Sequence, residues 1–201
     1  PIAMPLEENF DDWDAISSCW TNEHTAGSST TVWSVSTTNA YSGKGAYLGY
    51  QDDGNKVVLT TPALIVEAGK QYRVSYYMYH HASISYDEDS LNVYCSTTSL
   101  PNATSTLLGT SYGYVGANPS LGAESSGNYR HVHQWTQEAD GVIYISFEMV
   151  WFDGLGTSID EIVVEEVPSC EKPQDVSVTS TASTATITVT DEAHTAWEYV
   201  Y

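Results

Sequence analysis

Apolar and polar residues alternate with a period of two along most of this chain, and no segment of helical length repeats every three to four residues between caps. Over 72–80, Tyr72, Val74, Tyr76, Met78 and His80 alternate with Arg73, Ser75, Tyr77 and Tyr79. Over 91–96, Leu91, Val93 and Cys95 alternate with Asn92, Tyr94 and Ser96. The strongest pattern is 142–152, with Ile143, Ile145, Phe147, Met149 and Trp151 on one side and Tyr144, Ser146, Glu148 and Val150 on the other. Further strands are expected near 6–10, 31–36, 46–50, 56–60 and 159–166. Gly, Asn and Asp gather between these runs, and Asp52-Asp53-Gly54-Asn55 reads as a hairpin turn. Many short strands separated by turns predict an all-β chain folded as a β-sandwich or jelly roll.

The pattern changes at Val167-Pro168-Ser169-Cys170-Glu171-Lys172-Pro173. Beyond it come strands at 175–178, 184–190 and 197–201. Three strands fall well short of the roughly seven that close an Ig-like sandwich. The expected organisation is a jelly-roll domain over 1–168 and the first strands of a second sandwich over 169–201, the whole a piece of a longer multidomain protein.

Charge narrows the partners. The 201 residues carry 26 acids against 6 bases, a formal net charge of -20. Nucleic acid is excluded, because its binders need basic patches, and anionic membrane surfaces are excluded for the same reason. Disorder is excluded as well, since aromatic residues make up 12% of the chain and hydrophobic residues 41%. No apolar run is long enough to insert into a bilayer, and no signal-peptide pattern is present, so the sequence reads as a mature segment. Three cysteines are too few for a disulfide scaffold. Cys95 reads as a core thiol, and whether Cys19 and Cys170 pair stays open.

The acids are unevenly placed. No Lys or Arg precedes Lys44, and nine acids but no base lie between Arg130 and Lys172. Strand alternation puts Glu8 on the side of Phe10, and Asp160 on the side of Ile162 and Val164, so two carboxylates are expected to face inward. A buried carboxylate must be protonated, paired or metal-bound. A hard cation with oxygen ligands, Ca²⁺, answers this, with Glu8, Asp11 and Asp160 as ligands and Asp12 and Asp53 as supplements. The alternative, that these acids end their strands in solvent, stays open.

With these residues placed, a resemblance can be stated. Residues 5–167 resemble the gingipain-type cleaved adhesin domains and the related choice-of-anchor J modules, jelly rolls like the MAM domains. The likeness runs through Glu8-Asn9-Phe10-Asp11, Cys19-Trp20, Val32-Trp33-Ser34-Val35, the run from Ala40 to Tyr50, the run from Leu59 to Tyr79, and Ser158 to Val164. It implies a structural Ca²⁺ on Glu8 and Asp160, with Asp11 joining them. Cys19 replaces the family's Gly, and 21–31 lacks the Asp/Gly-rich loop, which speaks against a second calcium site. Residues 169–201 resemble the opening of a fibronectin type III domain. The family context implies a secreted or outer-surface bacterial protein.

The remaining candidates are surface aromatics and histidines. With the 143–147 side inward, Tyr144 faces outward, and Tyr77, Tyr79, Tyr94 and Phe152 join it as an aromatic row able to stack sugar rings or meet a protein. Cross-strand pairing is the competing role. His131 and His133 share a strand face and His80-His81 lie on another strand, but no Cys, Asp or Glu completes a zinc set, so packing roles are expected. Asp87, Glu88 and Asp89 read as a solvated loop. No GxSxG, HExxH or phosphate-binding loop is present, so no catalytic residue is assigned. The expectation is a non-catalytic, calcium-stabilised adhesion and recognition module whose partner is a host or matrix protein or a surface glycan. The alternative is a carbohydrate-binding accessory module of a larger enzyme.

Overall fold

The computed structural model describes residues 1–82, 89–116, 125–152, 154–168, 175–181 and 184–190. Its described residues form fourteen strands and no helix, and the chain divides into two compact units, 1–166 and 167–201. In the first unit the strands are β1 (Leu6–Glu8), β2 (Thr21–Ala26), β3 (Ser34–Ser36), β4 (Gly45–Leu48), β5 (Lys56–Thr60) and β6 (Leu64–Val66). They continue with β7 (Gln71–His80), β8 (Ser90–Ser96), β9 (Thr106–Tyr112), β10 (Gly127–Thr136), β11 (Gly141–Val150) and β12 (Thr157–Glu166).

Two six-stranded antiparallel sheets result. The front sheet runs β10-β7-β12-β4-β3, with β1 also paired to β12. The back sheet runs β2-β5-β11-β8-β9, with β6 also paired to β11. This is the jelly-roll sandwich expected from the alternating pattern. The inner faces of β7 and β11 carry the core: Val74, Tyr76, Met78, Ile145, Phe147, Met149 and Trp151 are all fully buried. Tyr76 of the front sheet meets Phe147 of the back sheet edge to face, centroids 5.3 Å apart, so one aromatic pair spans the sandwich. Phe10, Trp13 and Trp20 form an aromatic cluster after β1, with centroids 5.3–6.0 Å apart.

Three expectations are corrected. The turn at 52–55 exists, closed by Asn55 on the Asp52 carbonyl, but it joins β4 of the front sheet to β5 of the back sheet. It is a crossing between layers, which turn-residue chemistry alone does not distinguish from a hairpin. Three strands, β2, β6 and β9, fall outside the sequence expectation, and of β10 only the face shared by His131 and His133 was expected. β2 (Thr-Asn-Glu-His-Thr-Ala) is polar at nearly every position, and β10 places Tyr129, His131, His133 and Trp135 where a core strand has aliphatic residues. Both lie at sheet edges, where half of the burial that creates an apolar pattern is missing. The third correction concerns the acids, whose stretches draw countercharge from elsewhere in the fold: Lys44 reaches Asp14 at 3.6 Å, Lys70 reaches Glu166 at 2.7 Å and Arg73 reaches Glu165 at 2.8 Å.

In the second unit, β13 (Asp175–Ser180) and β14 (Ala185–Thr190) pair as an antiparallel hairpin. The strand expected at 197–201 and Cys170 lie outside the described residues, as do Asp87 and Glu88. Cys19 is exposed and its thiol is free.

Candidate functional site

The outer face of the back sheet carries two of the four tyrosines, Tyr94 and Tyr144, both half-buried. Tyr144 of β11 lies opposite Ser96 of β8, and Ser146 lies opposite Tyr94. Opposite residues share a face, so the two tyrosines sit on adjacent strands as diagonal neighbours. Ser146 sits beside both rings, and on its other side the Thr60 hydroxyl of β5 donates to its hydroxyl at 2.8 Å, both residues being buried. Glu148, two positions past Ser146, accepts a long hydrogen bond from the Tyr94 hydroxyl at 3.4 Å and lies 3.8 Å from the Lys56 ammonium. Burial, and then the charge of Glu148, push the Tyr94 hydroxyl above its ordinary pKa. Asn92 accepts from the Thr110 hydroxyl at 2.8 Å on the neighbouring strands. Two half-buried rings, a carboxylate, an ammonium and an amide thus share one face, packed over buried hydroxyl side chains. That set can stack and hydrogen-bond a ligand. It holds no activated nucleophile or acid-base pair.

The front sheet treats its tyrosines differently. Tyr77 lies opposite Asp160. Its ring is stacked on Tyr41, centroids 3.6 Å apart and planes within 9°. Tyr79 meets His81 edge to face at 4.9 Å, and the His81 ring nitrogen is 2.7 Å from the Gly156 carbonyl. The expected row of Tyr77, Tyr79, Tyr94 and Tyr144 is therefore split into two pairs on opposite sheets. Glu148, Lys56 and Asn92 were missed by sequence reasoning. The parity that turns Tyr144 outward also turns Glu148 outward, and only the pairing of β5 with β11 brings Lys56 beside it.

The three proposed calcium ligands are placed by a distorted stretch of β12. Register shifts between Asp160 and Val163, and Glu161 takes a positive φ of 48°. This bulge inserts one residue, so Ile159, Ile162 and Val164 all reach the core while Asp160 turns to the outer face with Tyr77. The expected inward direction of Asp160 is thus corrected, although its burial is complete. The segment 41–45 covers it: Ser42 N–H donates to one carboxylate oxygen at 3.0 Å and Glu161 N–H to the other at 2.7 Å. Burial, outweighing these donors, raises the Asp160 carboxyl to about 6. Asp11 accepts from Lys44 N–H at 2.7 Å, on the same turn, where Gly43 has a φ of 44° and a Cβ would strike the Asp11 carboxylate. Glu8 lies opposite Ile162, on the core side, and accepts from Phe10 N–H at 2.8 Å. Burial raises its carboxyl too, with Asp12 adding to the effect. Phe10 itself has a φ of 61°, which ends the alternation that linked it to Glu8. Among the described residues no three His, Cys, Asp or Glu side chains form a group able to hold a metal.

The histidines are brought together in a way their spacing does not show. His80 and His131 point into the sandwich from β7 and β10 with ring nitrogens 2.9 Å apart and coplanar rings, and His133 lies 3.3 Å from the Tyr76 hydroxyl. Burial lowers His80 to about 3 and His131 to about 4, so the pair is neutral at pH 7. His81 stands apart, against Tyr79. The cluster is a packing feature of the front sheet.

No family model matches the sequence, and no curated protein matches it. Solved structures do match the architecture. The K1 cleaved adhesin domain of Lys-gingipain from Porphyromonas gingivalis W83 superposes with a TM-score of 0.57 at 15% identity, covering 81% of this chain and 98% of that one. This chain has the jelly-roll fold of those adhesin domains. Carbohydrate-binding modules share it. One, TmCBM61 in complex with β-1,4-galactotriose, gives a TM-score of 0.53 at 14% identity over 79% of this chain and 94% of that one. The xylan-binding CBM22-1 domain of Paenibacillus barcinonensis Xyn10C gives 0.50 at 11% over 82% and 95%. At these identities the likeness is one of fold.

Proposed function

We propose that the first unit is a non-catalytic recognition module of a secreted or surface-exposed bacterial protein, and that it meets its ligand on the Tyr94–Tyr144 face of the back sheet. The observation that carries this reading is the placement of two half-buried aromatic rings, Glu148 and Lys56 on one face. The fold likeness to adhesin and carbohydrate-binding domains, all stand-alone modules of larger proteins, supports it. Adhesion to a host or matrix protein is the first form of the reading. Its use as a carbohydrate-binding accessory module is the second, favoured by the polar groups beside the rings. A glycan array run beside a panel of matrix proteins separates the two. Changing Tyr94→Ala and Tyr144→Ala together is expected to weaken whichever binding is found by more than about tenfold. Binding that survives the double change places the ligand elsewhere.

We also propose a structural Ca²⁺ at the acidic end, with Glu8, Asp11 and Asp160 as its ligands, side chains that do not form a metal-holding group as they stand and would have to converge on the ion. Their oxygen donors suit a hard cation, and Asp160 is a buried carboxylate whose hydrogen-bond donors are backbone N–H groups. Glu8 would have to release the Phe10 N–H to take part. A saturating ion would stabilise the unit by about 3 kcal/mol at a hundredfold excess over its Kd. Adding chelator is therefore expected to lower the Tm, and an unchanged Tm ends the calcium reading.

A further inference from the structure

A second concave site lies away from the tyrosine face, at the end of the sandwich where the β8–β9 and β10–β11 connections meet. A cleft of about 250 Å³ opens there between the two sheets. Cys95, Ile143 and the half-buried indole of Trp135 line it. That ring stacks on Tyr72, centroids 5.7 Å apart, and its N–H donates to the Gln137 amide oxygen at 3.4 Å. The Gln137 amide nitrogen donates to the Ala139 carbonyl at 3.0 Å, which fixes the turn beside the ring. The rim is different in kind. Thr106 and Glu138 are exposed, line the cleft, and make no side-chain hydrogen bond with the described residues. The indole is therefore braced, while the polar groups at the mouth keep their hydrogen-bonding capacity for something else.

We infer that this cleft binds one ring of a neutral sugar. A flat indole offers its face to the C–H side of a pyranose. Threonine hydroxyls both donate and accept, and a carboxylate accepts from two adjacent sugar hydroxyls. No Lys or Arg lines the cleft, and Glu138 stands at its mouth, so a phosphate, sulfate or uronate would meet repulsion without compensation. The volume lies below the usual range for drug-sized ligands, which limits the occupant to about one ring. This site is independent of the Tyr94–Tyr144 face.

The test uses the full chain, with galactose, glucose, xylose and N-acetylglucosamine as probes and glucuronate as the charged control. The Trp135 indole N–H is followed by NMR. At least one neutral probe is expected to shift that resonance saturably with a Kd on the order of millimolar, and glucuronate is expected to leave it unmoved. Glu138→Gln and Thr106→Val, both at exposed positions that leave the indole packing intact, are expected to weaken the neutral sugar at least about fivefold. Tyr94→Ala with Tyr144→Ala is expected to leave it unchanged, so the failure of one site is read apart from the other. No saturable shift with any probe up to roughly 50 mM, or glucuronate binding as well as the neutral sugars, overturns the proposal.

Discussion

The outer faces of the two sheets both carry tyrosines turned outward by strand alternation, yet they are put to different use. On the front sheet, the 41–45 segment crosses the face, stacks Tyr41 on Tyr77 and closes over Asp160. On the back sheet, Tyr94 and Tyr144 lie beside Ser146 and a carboxylate. The front face is a second, thin layer of packing. Among the described residues, the rings of the back face carry no such covering stack. Periodicity sorts residues into two sides of a strand, but whether the outer side is covered depends on a chain segment distant in sequence.

If the front face is structural, removing its buried carboxylate should have the largest effect on stability. Asp160→Ala strips the acceptor from the Ser42 and Glu161 N–H groups and is expected to cost about 3 kcal/mol in urea unfolding. That corresponds to a Tm lower by roughly 6–12 °C for a domain of this size. A loss no greater than that of Glu148→Ala on the back face would break the contrast.

Acid should also reach the front sheet first. His80 and His131 titrate below their unfolded value of about 6.5, so between that pH and about 4 the unfolded chain binds more protons than the folded one. Their contribution is complete above pH 6.5 and is lost as pH falls. The slope is up to about 1.4 kcal/mol per pH unit for each histidine. The raised carboxyls of Asp160 and Glu8 act in the opposite sense and offset part of it. The informative quantity is therefore the difference between the wild type and His131→Gln. The wild type is expected to lose more stability than the variant between pH 6.5 and 4, and parallel curves would remove the histidine pair as the cause.

The smallest expected effect is the sharpest discriminator of role. Tyr77→Ala loses one stacked pair and is expected to cost about 1 kcal/mol while leaving ligand binding intact. Tyr144→Ala is expected to do the reverse, with unfolding within about 0.5 kcal/mol of wild type and binding reduced. Equal losses of binding in both would join the two faces into one surface.

Much of this was legible along the chain. The long central strands β7, β8 and β11 and their buried positions follow from alternation, because each is central in its sheet and apolar on its core side. Asp160 shows where alternation fails. The bulge at Glu161 brings Ile159 to the core side with Ile162 and Val164 and turns Asp160 to the other, whereas plain alternation from Ile162 and Val164 puts Asp160 inside and Ile159 outside. Edge strand β2, and β10 beyond its histidine face, were hidden for another reason: a strand that packs on one side only, at a margin, has little need of aliphatic residues. The Trp135 cleft was equally out of reach, since it is assembled from four strands and two turns that share no motif.

The sequence by itself determined the all-β class, the sandwich core, the net charge of -20, and the outward turn of Tyr77, Tyr79, Tyr94 and Tyr144. These follow from local rules, alternation and net charge, that every residue obeys regardless of its distant neighbours. Tertiary structure alone decided which tyrosines are covered, which base meets which acid, that His80 meets His131, and where a cleft opens between the sheets. Each of those depends on strand order and on a segment crossing a face, contacts between residues many positions apart that no periodicity encodes.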